Sequence, residues 1–136
     1  MNAYVDSSVV LRFVLDQPGQ LSGWTEITNP ISSELLRIEC LRTLDNARIR
    51  YALDDNLVSE KRGALLQILD RITLVGLDPD VLARAAEPFP TVVRSLDALH
   101  LATLLHVPEE MGELVLATHD DELAVAATAL GFDVLV

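Results

Sequence analysis

The sequence predicts an α/β fold of three layers, with a mostly parallel central sheet flanked by helices. Short apolar runs of strand length alternate along the chain with longer segments of helical periodicity, a pattern typical of parallel strands joined by crossover helices. Half of the residues are hydrophobic but only 4% are aromatic, which indicates an aliphatic interior. A chain of 136 residues is long enough to bury one core and short for two, so we expect a single domain over residues 1–136.

The chain is predicted to begin with a strand and a helix. NAYV (2–5) is a short apolar run that ends at an aspartate, and SSVVLRFVLD follows it with helical spacing. Ser7 or Ser8 is expected near the N-cap of this helix, because serine is a good capping residue. The segment DQPGQLSGW (16–24) contains a proline and two glycines, which predict a loop.

Two long helices and a strand are predicted next. Helical periodicity runs from about Glu34 to Tyr51 and again from about Asp55 to Arg71, and the two segments together predict a helical hairpin. NPISS (29–33) is interpreted as the segment that leads into the first of these helices. ITLVGL (72–77) is a continuous apolar run bounded by polar residues, which predicts a buried strand.

The second half of the chain continues the alternation of helices and strands. SLDALHLATLLH is apolar almost all round, so we expect that helix to be buried on most sides. The predicted elements are, in order, a short helix at 78–86 with Pro79 near its start, a loop at Pro88 and Pro90, the apolar helix at 95–106, a strand at 113–118, a helix at 120–130 that Gly131 ends, and a last strand at 132–136.

Composition excludes several classes of protein. No apolar run reaches the roughly 18 residues that a membrane-spanning helix needs. The N-terminus lacks the basic region of a signal peptide, and the lone Cys40 has no partner for a disulfide or a cysteine-based zinc site, so a reducing cytoplasm is expected. The formal net charge is −11 with a single lysine, which argues against a nonspecific nucleic-acid binder with a basic face.

Two aspartates fall at the predicted carboxyl ends of strands. Asp6 directly follows the first strand, and Asp120 lies just beyond the strand at 113–118. Ligands of open parallel sheets bind outside the carboxyl ends of the strands, so these two side chains are candidates for one site. Asp6 could instead simply cap the first helix.

Glu39 is a carboxylate on the wrong face of its helix. At 100° per residue it lies almost opposite the predicted water-facing arc, on which Glu34 is interpreted as solvated, and Leu35 and Leu36 flank it. A charge drawn into the interior needs a cation or hydrogen bonds to compensate it. Taken alone, the position favours an ion pair with a nearby arginine such as Arg42.

Asp97 presents the same problem in the apolar helix. Asp97, His100 and Thr103 are the only polar side chains in LDALHLATLL. An acid in the first turn is favoured by the helix dipole, typically by about 0.3–1 kcal/mol, so Asp97 has a purely structural interpretation. His100 could be its partner, although a single helical histidine is more often a core or edge residue.

The acids are harder to explain together than singly. Three or four carboxylates cannot all stay ionised in a small space without bound cations. Oxygen ligands without cysteine or several histidines favour Mg²⁺ or Mn²⁺ over zinc. Such ions suit phosphoryl transfer, in which they activate water and neutralise charge on the phosphate.

Four segments of the chain resemble the PIN-domain ribonucleases, and specifically the VapC-type toxins of bacterial toxin–antitoxin pairs. The likeness covers essentially the whole chain, and it is fairly specific because all four segments occur in the family's order and spacing. The segments are YVDSSVVL, SSELLRIECLRTL, RSLDALHLATLL and LVLATHDDELAVAATALGFDVL.

The resemblance implies a function and a set of site residues. It implies metal-dependent endonucleolytic cleavage of RNA, inhibition by a cognate antitoxin, and a homodimer. The family's metal-binding acids map onto Asp6, Glu39, Asp97 and Asp120, with the first three holding a principal Mg²⁺ or Mn²⁺ and the fourth a second ion or the attacking water. Ser7 matches the small hydroxyl residue after the first aspartate, and Thr118 matches the Ser/Thr two residues before the last acid. Candidates for RNA contact are Arg12, Arg37, Arg42 and Arg94.

The neighbouring Asp120 and Asp121 are predicted to have different roles. Asp120 is assigned to the metal or the water through the family pattern. Asp121 lies three residues after Thr118, which fits a capping-box relation, so it is predicted to be the helix-start residue.

Three other functions were weighed against the nuclease. A phosphoacceptor receiver domain needs paired acids after its first strand and a lysine after a late strand, but Asp6 has no acidic neighbour and Lys61 lies within a helix. A haloacid-dehalogenase-like phosphatase needs a second aspartate two residues after its nucleophile, where this chain has Ser8. The stronger alternative is a non-catalytic interaction module whose acidic surface docks a basic partner.

Overall fold

The computed structural model describes all residues from 1 to 136 and contains one five-stranded sheet. The strands are β1 (Asn2–Val5), β2 (Asn29–Ser33), β3 (Thr73–Val75), β4 (Leu114–Ala117) and β5 (Val134–Leu135). Their order across the sheet is β3-β2-β1-β4-β5, and every neighbouring pair is parallel. The predicted fold class is confirmed, and the sheet is parallel throughout rather than mostly so.

All six predicted helices are present, with ends within two residues of the predicted positions. They are α1 (Ser7–Val14), α2 (Leu35–Arg50), α3 (Asp55–Arg71), α4 (Pro79–Ala85), α5 (Ser95–Leu105) and α6 (Asp121–Ala129). Two short 3₁₀ turns lie at Trp24–Glu26 and Glu109–Met111. None of the helices combines the length and apolar character that crossing a lipid bilayer requires.

The helices cover both faces of the sheet and create two apolar layers. Successive side chains of a strand point to opposite faces, and β1 shows this directly, because Ala3 and Val5 pack into one layer and Tyr4 into the other. The first layer joins β1 to α1, α2 and α3, and the second joins the sheet to α5 and α6. As the central strand, β1 is buried on both faces, which fixes the position of the residue that follows it.

The prediction for residues 29–33 was wrong, because NPISS forms β2 between β1 and β3. Pro30 cannot donate a ladder hydrogen bond, which restricts the positions that it can take in a sheet. It pairs with Ala3 of β1, however, while pairing with β3 begins only at Ile31. Pro30 is therefore accommodated near the start of β2, where the side of the strand that faces β3 is not yet paired.

The strand predicted at 72–77 is shorter and less buried than expected. It comprises only Thr73–Val75 and lies at the edge of the sheet, where Thr73 is exposed.

Glu34 differs in part from its predicted role as a solvated residue. Its side chain is exposed, but Oε1 accepts a hydrogen bond from the backbone N of Leu77 at 2.9 Å and so ties the start of α2 to the segment after β3.

Candidate active site at the carboxyl edge of the sheet

Asp6 is a buried carboxylate at the end of the central strand. It is the N-cap of α1, one of the two interpretations that its position allowed, and Ser7 and Ser8 lie next to the cap in the first turn. Its Oδ2 accepts hydrogen bonds from Ser8 Oγ at 2.6 Å, from Thr118 Oγ1 at 3.0 Å and from Ser8 N at 3.3 Å. The other oxygen, Oδ1, accepts no hydrogen bond from the protein. One oxygen therefore anchors the side chain and leaves the second available to a ligand.

Thr118 joins Asp6 to Asp120. It follows β4 directly and is fully buried; its hydroxyl donates to Asp6 and accepts a hydrogen bond from the backbone N of Asp120 at 3.0 Å. Asp120 Oδ1 in turn accepts hydrogen bonds from the backbone N atoms of Glu122 and Leu123 at 2.9 and 3.1 Å, and so caps α6. Asp121 is the exposed first residue of α6, as predicted for the helix-start residue, but its capping-box relation to Thr118 does not form, because Asp120 is the cap.

Glu39 contacts a histidine and not an arginine. Its Oε1 lies 2.5 Å from His100 Nε2 on α5, across the carboxyl edge of the sheet. The predicted pair with Arg42 does not form, because Arg42 binds Asp45 on the same exposed face of α2. The possible pairing of His100 with Asp97 is also absent. Oε2 of Glu39 accepts no hydrogen bond from the protein.

The electrostatic environment of His100 is strongly negative. Burial of the imidazole acts to lower its pKa, but the hydrogen bond to Glu39 and the charges of Glu39, Asp6 and Asp97 outweigh burial and raise the pKa above its ordinary value. The expectation that His100 is a core residue is confirmed, since only 1% of it is exposed.

The pKa of Asp97 indicates that the acids lie close to one another. Its pKa is raised first by burial and then by the negative charges of Asp120, Asp6 and Glu39, with His100 acting in the opposite direction. Carboxylates influence one another in this way only at short range in a partly desolvated site. The structure therefore brings the four predicted acids, which lie far apart in the chain, into one electrostatic environment.

A stability measurement can test this repulsion directly. A raised pKa means that Asp97 stabilises the fold when protonated, and that this contribution is lost as the pH rises through its folded-state pKa. In a chelating buffer we therefore expect Asp97→Asn to raise the melting temperature by a few degrees at pH 7, with a smaller gain at pH 4. Asp121→Asn, which changes an exposed acid in the first turn of α6, is the control and should produce no gain. A lower melting temperature for Asp97→Asn at pH 7 would contradict the inferred repulsion.

The donor set fits a hard divalent cation. Asp6, Glu39 and Asp120 each keep one oxygen free of hydrogen bonds, and Asp97 makes no side-chain hydrogen bond at all. No three of these side chains lie close enough to enclose a single ion in the present conformation. Ionised carboxylates repel one another, so ligands of this type are held apart until a cation draws their free oxygens inward. Mg²⁺ and Mn²⁺ bind oxygen ligands of this kind, with one oxygen atom from each carboxylate.

The structure distinguishes the two serines that follow Asp6. Ser8 contacts the site, because its hydroxyl donates to Asp6 and accepts a hydrogen bond from the backbone N of His119 at 2.9 Å. Ser7 makes no side-chain hydrogen bond, and its supporting role stays a prediction. Neither Ser8 nor Tyr4, which contacts His100, was predicted to belong to the site. Ser8 could have been found from its position two residues after the capping aspartate, where an Asx-type hydrogen bond is common.

Comparisons with known proteins show what this chain is similar to. The family model of the PIN domain matches residues 3–129. Ribonuclease VapC46 of Mycobacterium tuberculosis (strain ATCC 25618 / H37Rv) is 32% identical over 135 residues, which cover 97% of this chain and 95% of that protein. The match to the family model includes all four carboxylates at the edge of the sheet.

Proposed function

This chain belongs to the PIN-domain family, and from that premise we propose that it is a VapC-type endoribonuclease, the toxin of a type II toxin–antitoxin pair. It cleaves RNA phosphodiester bonds by hydrolysis, with Mg²⁺ or Mn²⁺ as cofactor. The observation that carries the proposal is the gathering of four carboxylates from four elements at one sheet edge, where burial and the charges of the other three raise the pKa of Asp97. Asp6 and Asp120 cap helices, but capping does not require four carboxylates at one edge, where their mutual repulsion destabilises the fold.

The four acids have separate roles in the proposed reaction. Asp6, Glu39 and Asp97 would hold the principal cation through one oxygen each, and Asp120 would hold a second ion or orient the attacking water. When bound, the cation would supply Lewis-acid stabilisation of the charge that develops on the phosphate. The protein keeps the ligand oxygens in place through hydrogen bonds to the second oxygens of Asp6, Glu39 and Asp120.

The protein's own residues must also attract and orient a polyanion on an acidic surface. Burial lowers the pKa of His119, next to Asp120, and the charge of Arg12 lowers it further, so Arg12 lies near the site. Arg94 is exposed at the N-cap of α5, three residues before Asp97. Arg42 is less suitable, because its guanidinium is engaged with Asp45. We propose that Arg12 and Arg94 contact the RNA backbone.

The proposed function is tested by incubating the purified protein with total RNA. Cleavage is expected with Mg²⁺ or Mn²⁺ and is expected to stop in excess EDTA, and mapping of the new ends would identify the preferred sequence. Cleavage that survives chelation would contradict the metal-dependent mechanism. A protein that cleaves nothing under any condition but binds a basic partner would favour the alternative, a non-catalytic acidic interaction module.

The family also supports a proposal about partners and location. We propose that the chain forms a homodimer in the cytoplasm and that a cognate antitoxin inhibits it. The measurement is size-exclusion chromatography with light scattering, in which a dimer of the 14.9 kDa chain is expected. A mass that stays at that of the monomer at all concentrations would contradict the dimer.

A further inference from the structure

A buried chain of hydrogen bonds leads from the sheet to Glu39. The backbone N of Ser33, at the end of β2, donates to the hydroxyl of Tyr4 at 3.1 Å. The Tyr4 hydroxyl lies 2.8 Å from His100 Nδ1, and His100 Nε2 lies 2.5 Å from Glu39 Oε1. Tyr4 is fully buried and His100 almost so, whereas 17% of the Glu39 side chain is exposed. This series of hydrogen bonds thus begins in the buried centre of the fold and ends at the acidic cluster.

The chemistry of each group fixes the direction of the last contact. An ionised carboxylate only accepts hydrogen bonds, so Nε2 of His100 must carry a hydrogen toward Glu39. Nδ1 is held by the Tyr4 oxygen, which is itself anchored by the N–H of Ser33. Tyr4 and His100 also pack edge to face, with ring planes at 81° and centroids 5.9 Å apart. The imidazole therefore has one orientation, in which it offers a donor to a single oxygen of Glu39.

Stability alone does not explain the series of hydrogen bonds that runs from Ser33 through Tyr4 and His100 to Glu39. Tyr4 lies in the apolar layer with Leu101, Leu104 and Leu116, where an apolar side chain would need no hydrogen-bond partner. Replacement of buried polar groups by well-packed apolar ones is often neutral or stabilising. These hydrogen bonds hold Glu39, which extends into the acidic cluster from the second turn of the 16-residue helix α2. A glutamate has more rotatable bonds than an aspartate, and Glu39 is the only glutamate among the four acids.

We propose that Tyr4 and His100 are positioning residues, which bind Oε1 of Glu39 so that Oε2 is presented to the divalent cation. This inference rests on the proposed function, because it assigns the residues a role toward the metal of that site. Histidine in this arrangement does not touch the ion but fixes a ligand that does, and removing such outer contacts typically weakens metal binding about 10–100-fold.

Two substitutions of His100 separate its two contacts. In His100→Gln the amide nitrogen can occupy the position of Nε2 and still donate to Glu39, whereas in His100→Asn the amide reaches only the position of Nδ1, near Tyr4. The measurement is the dissociation constant for Mn²⁺ without RNA, from the electron paramagnetic resonance signal of free Mn²⁺. We expect about 10–100-fold weaker binding for His100→Asn and a clearly smaller loss for His100→Gln. Leu104→Ala is the control, because it disturbs the same layer without removing a hydrogen bond and should leave the constant unchanged.

Two further measurements keep the inference testable if a His100 variant does not fold. Tyr4→Phe keeps the ring and removes only the hydroxyl, and it should weaken Mn²⁺ binding by several fold. In the wild type, the ¹⁵N spectrum of His100 should show a hydrogen on Nε2 that exchanges slowly with solvent. Unchanged Mn²⁺ binding in Tyr4→Phe and His100→Asn would overturn the positioning role alone, whereas a wild type that binds no Mn²⁺ would overturn the proposed function together with it.

Discussion

Asp6→Asn is expected to abolish RNA cleavage while leaving the fold intact. The substitution removes the charge of the most buried acid and places an amide donor where a free oxygen can bind a cation. Lewis-acid stabilisation is worth several kcal/mol, and each 1.4 kcal/mol is a factor of ten, so we expect the cleavage rate to fall by at least about 100-fold. The measurement is the initial rate on an RNA oligonucleotide at saturating Mn²⁺.

The fold should survive because asparagine can replace the structural contacts of Asp6. Its carbonyl oxygen can accept the hydrogen bonds of Ser8 and Thr118, and asparagine is as good an N-cap residue as aspartate. Asp54→Asn is the matched control, because Asp54 caps α3 in the same way, through a 2.9 Å hydrogen bond from Leu57 N, and is exposed. Equal cleavage by Asp6→Asn and Asp54→Asn would show that Asp6 is only a cap.

Asp120 is expected to combine a structural and a catalytic contribution, which two substitutions can separate. Asp120→Asn keeps the acceptor that caps α6 and removes the charge, so cleavage should fall by about 100-fold with little change in stability. Asp120→Ala removes both, so it should show the same loss of cleavage and an additional loss of about 1 kcal/mol in the free energy of unfolding. Rates and urea unfolding curves are the two measurements.

Asp121→Asn is the neighbouring control for this pair. Asp121 is exposed and interacts with α6 only as an acid in the first turn, so its substitution should leave cleavage unchanged and alter stability by no more than a few tenths of a kcal/mol. If Asp121→Asn lost cleavage and Asp120→Asn retained it, the assignment of the two aspartates would be reversed.

The helices were predictable because their signals are local. Apolar periodicity and flanking caps or breakers lie within the segment that they specify, and α3 has the predicted bounds, from Asp55 to Arg71. The strand β2 was missed for the opposite reason. Its five residues include Pro30 and two serines, and they become a strand through pairing with β1 and β3, which the local sequence does not encode.

The predicted acids are gathered at one edge, but their partners were predicted poorly. The parallel sheet brings Asp6 and Asp120 to the same edge because each follows a strand, and that inference needs only the order of elements. The partner of Glu39 was expected among nearby arginines, yet Arg42 lies on the exposed face, where a salt bridge to Asp45 is available to it. Likewise, Asp120 is the cap of α6 because its backbone is extended after β4 and its N–H is bound by Thr118 Oγ1, a contact that the sequence does not specify.

The sequence by itself determined the class of fold and the succession of elements apart from β2, since these follow from periodicity and chain order, and its resemblance to the family selected the four acids at the sheet edge. Only the tertiary structure decided which atoms touch. Glu39 and His100 are 61 positions apart, and His100 and Tyr4 are 96 apart. Contacts over such distances depend on the packing of α2 and α5 around the sheet, with tolerances of a few tenths of an ångström that no local pattern of residues specifies.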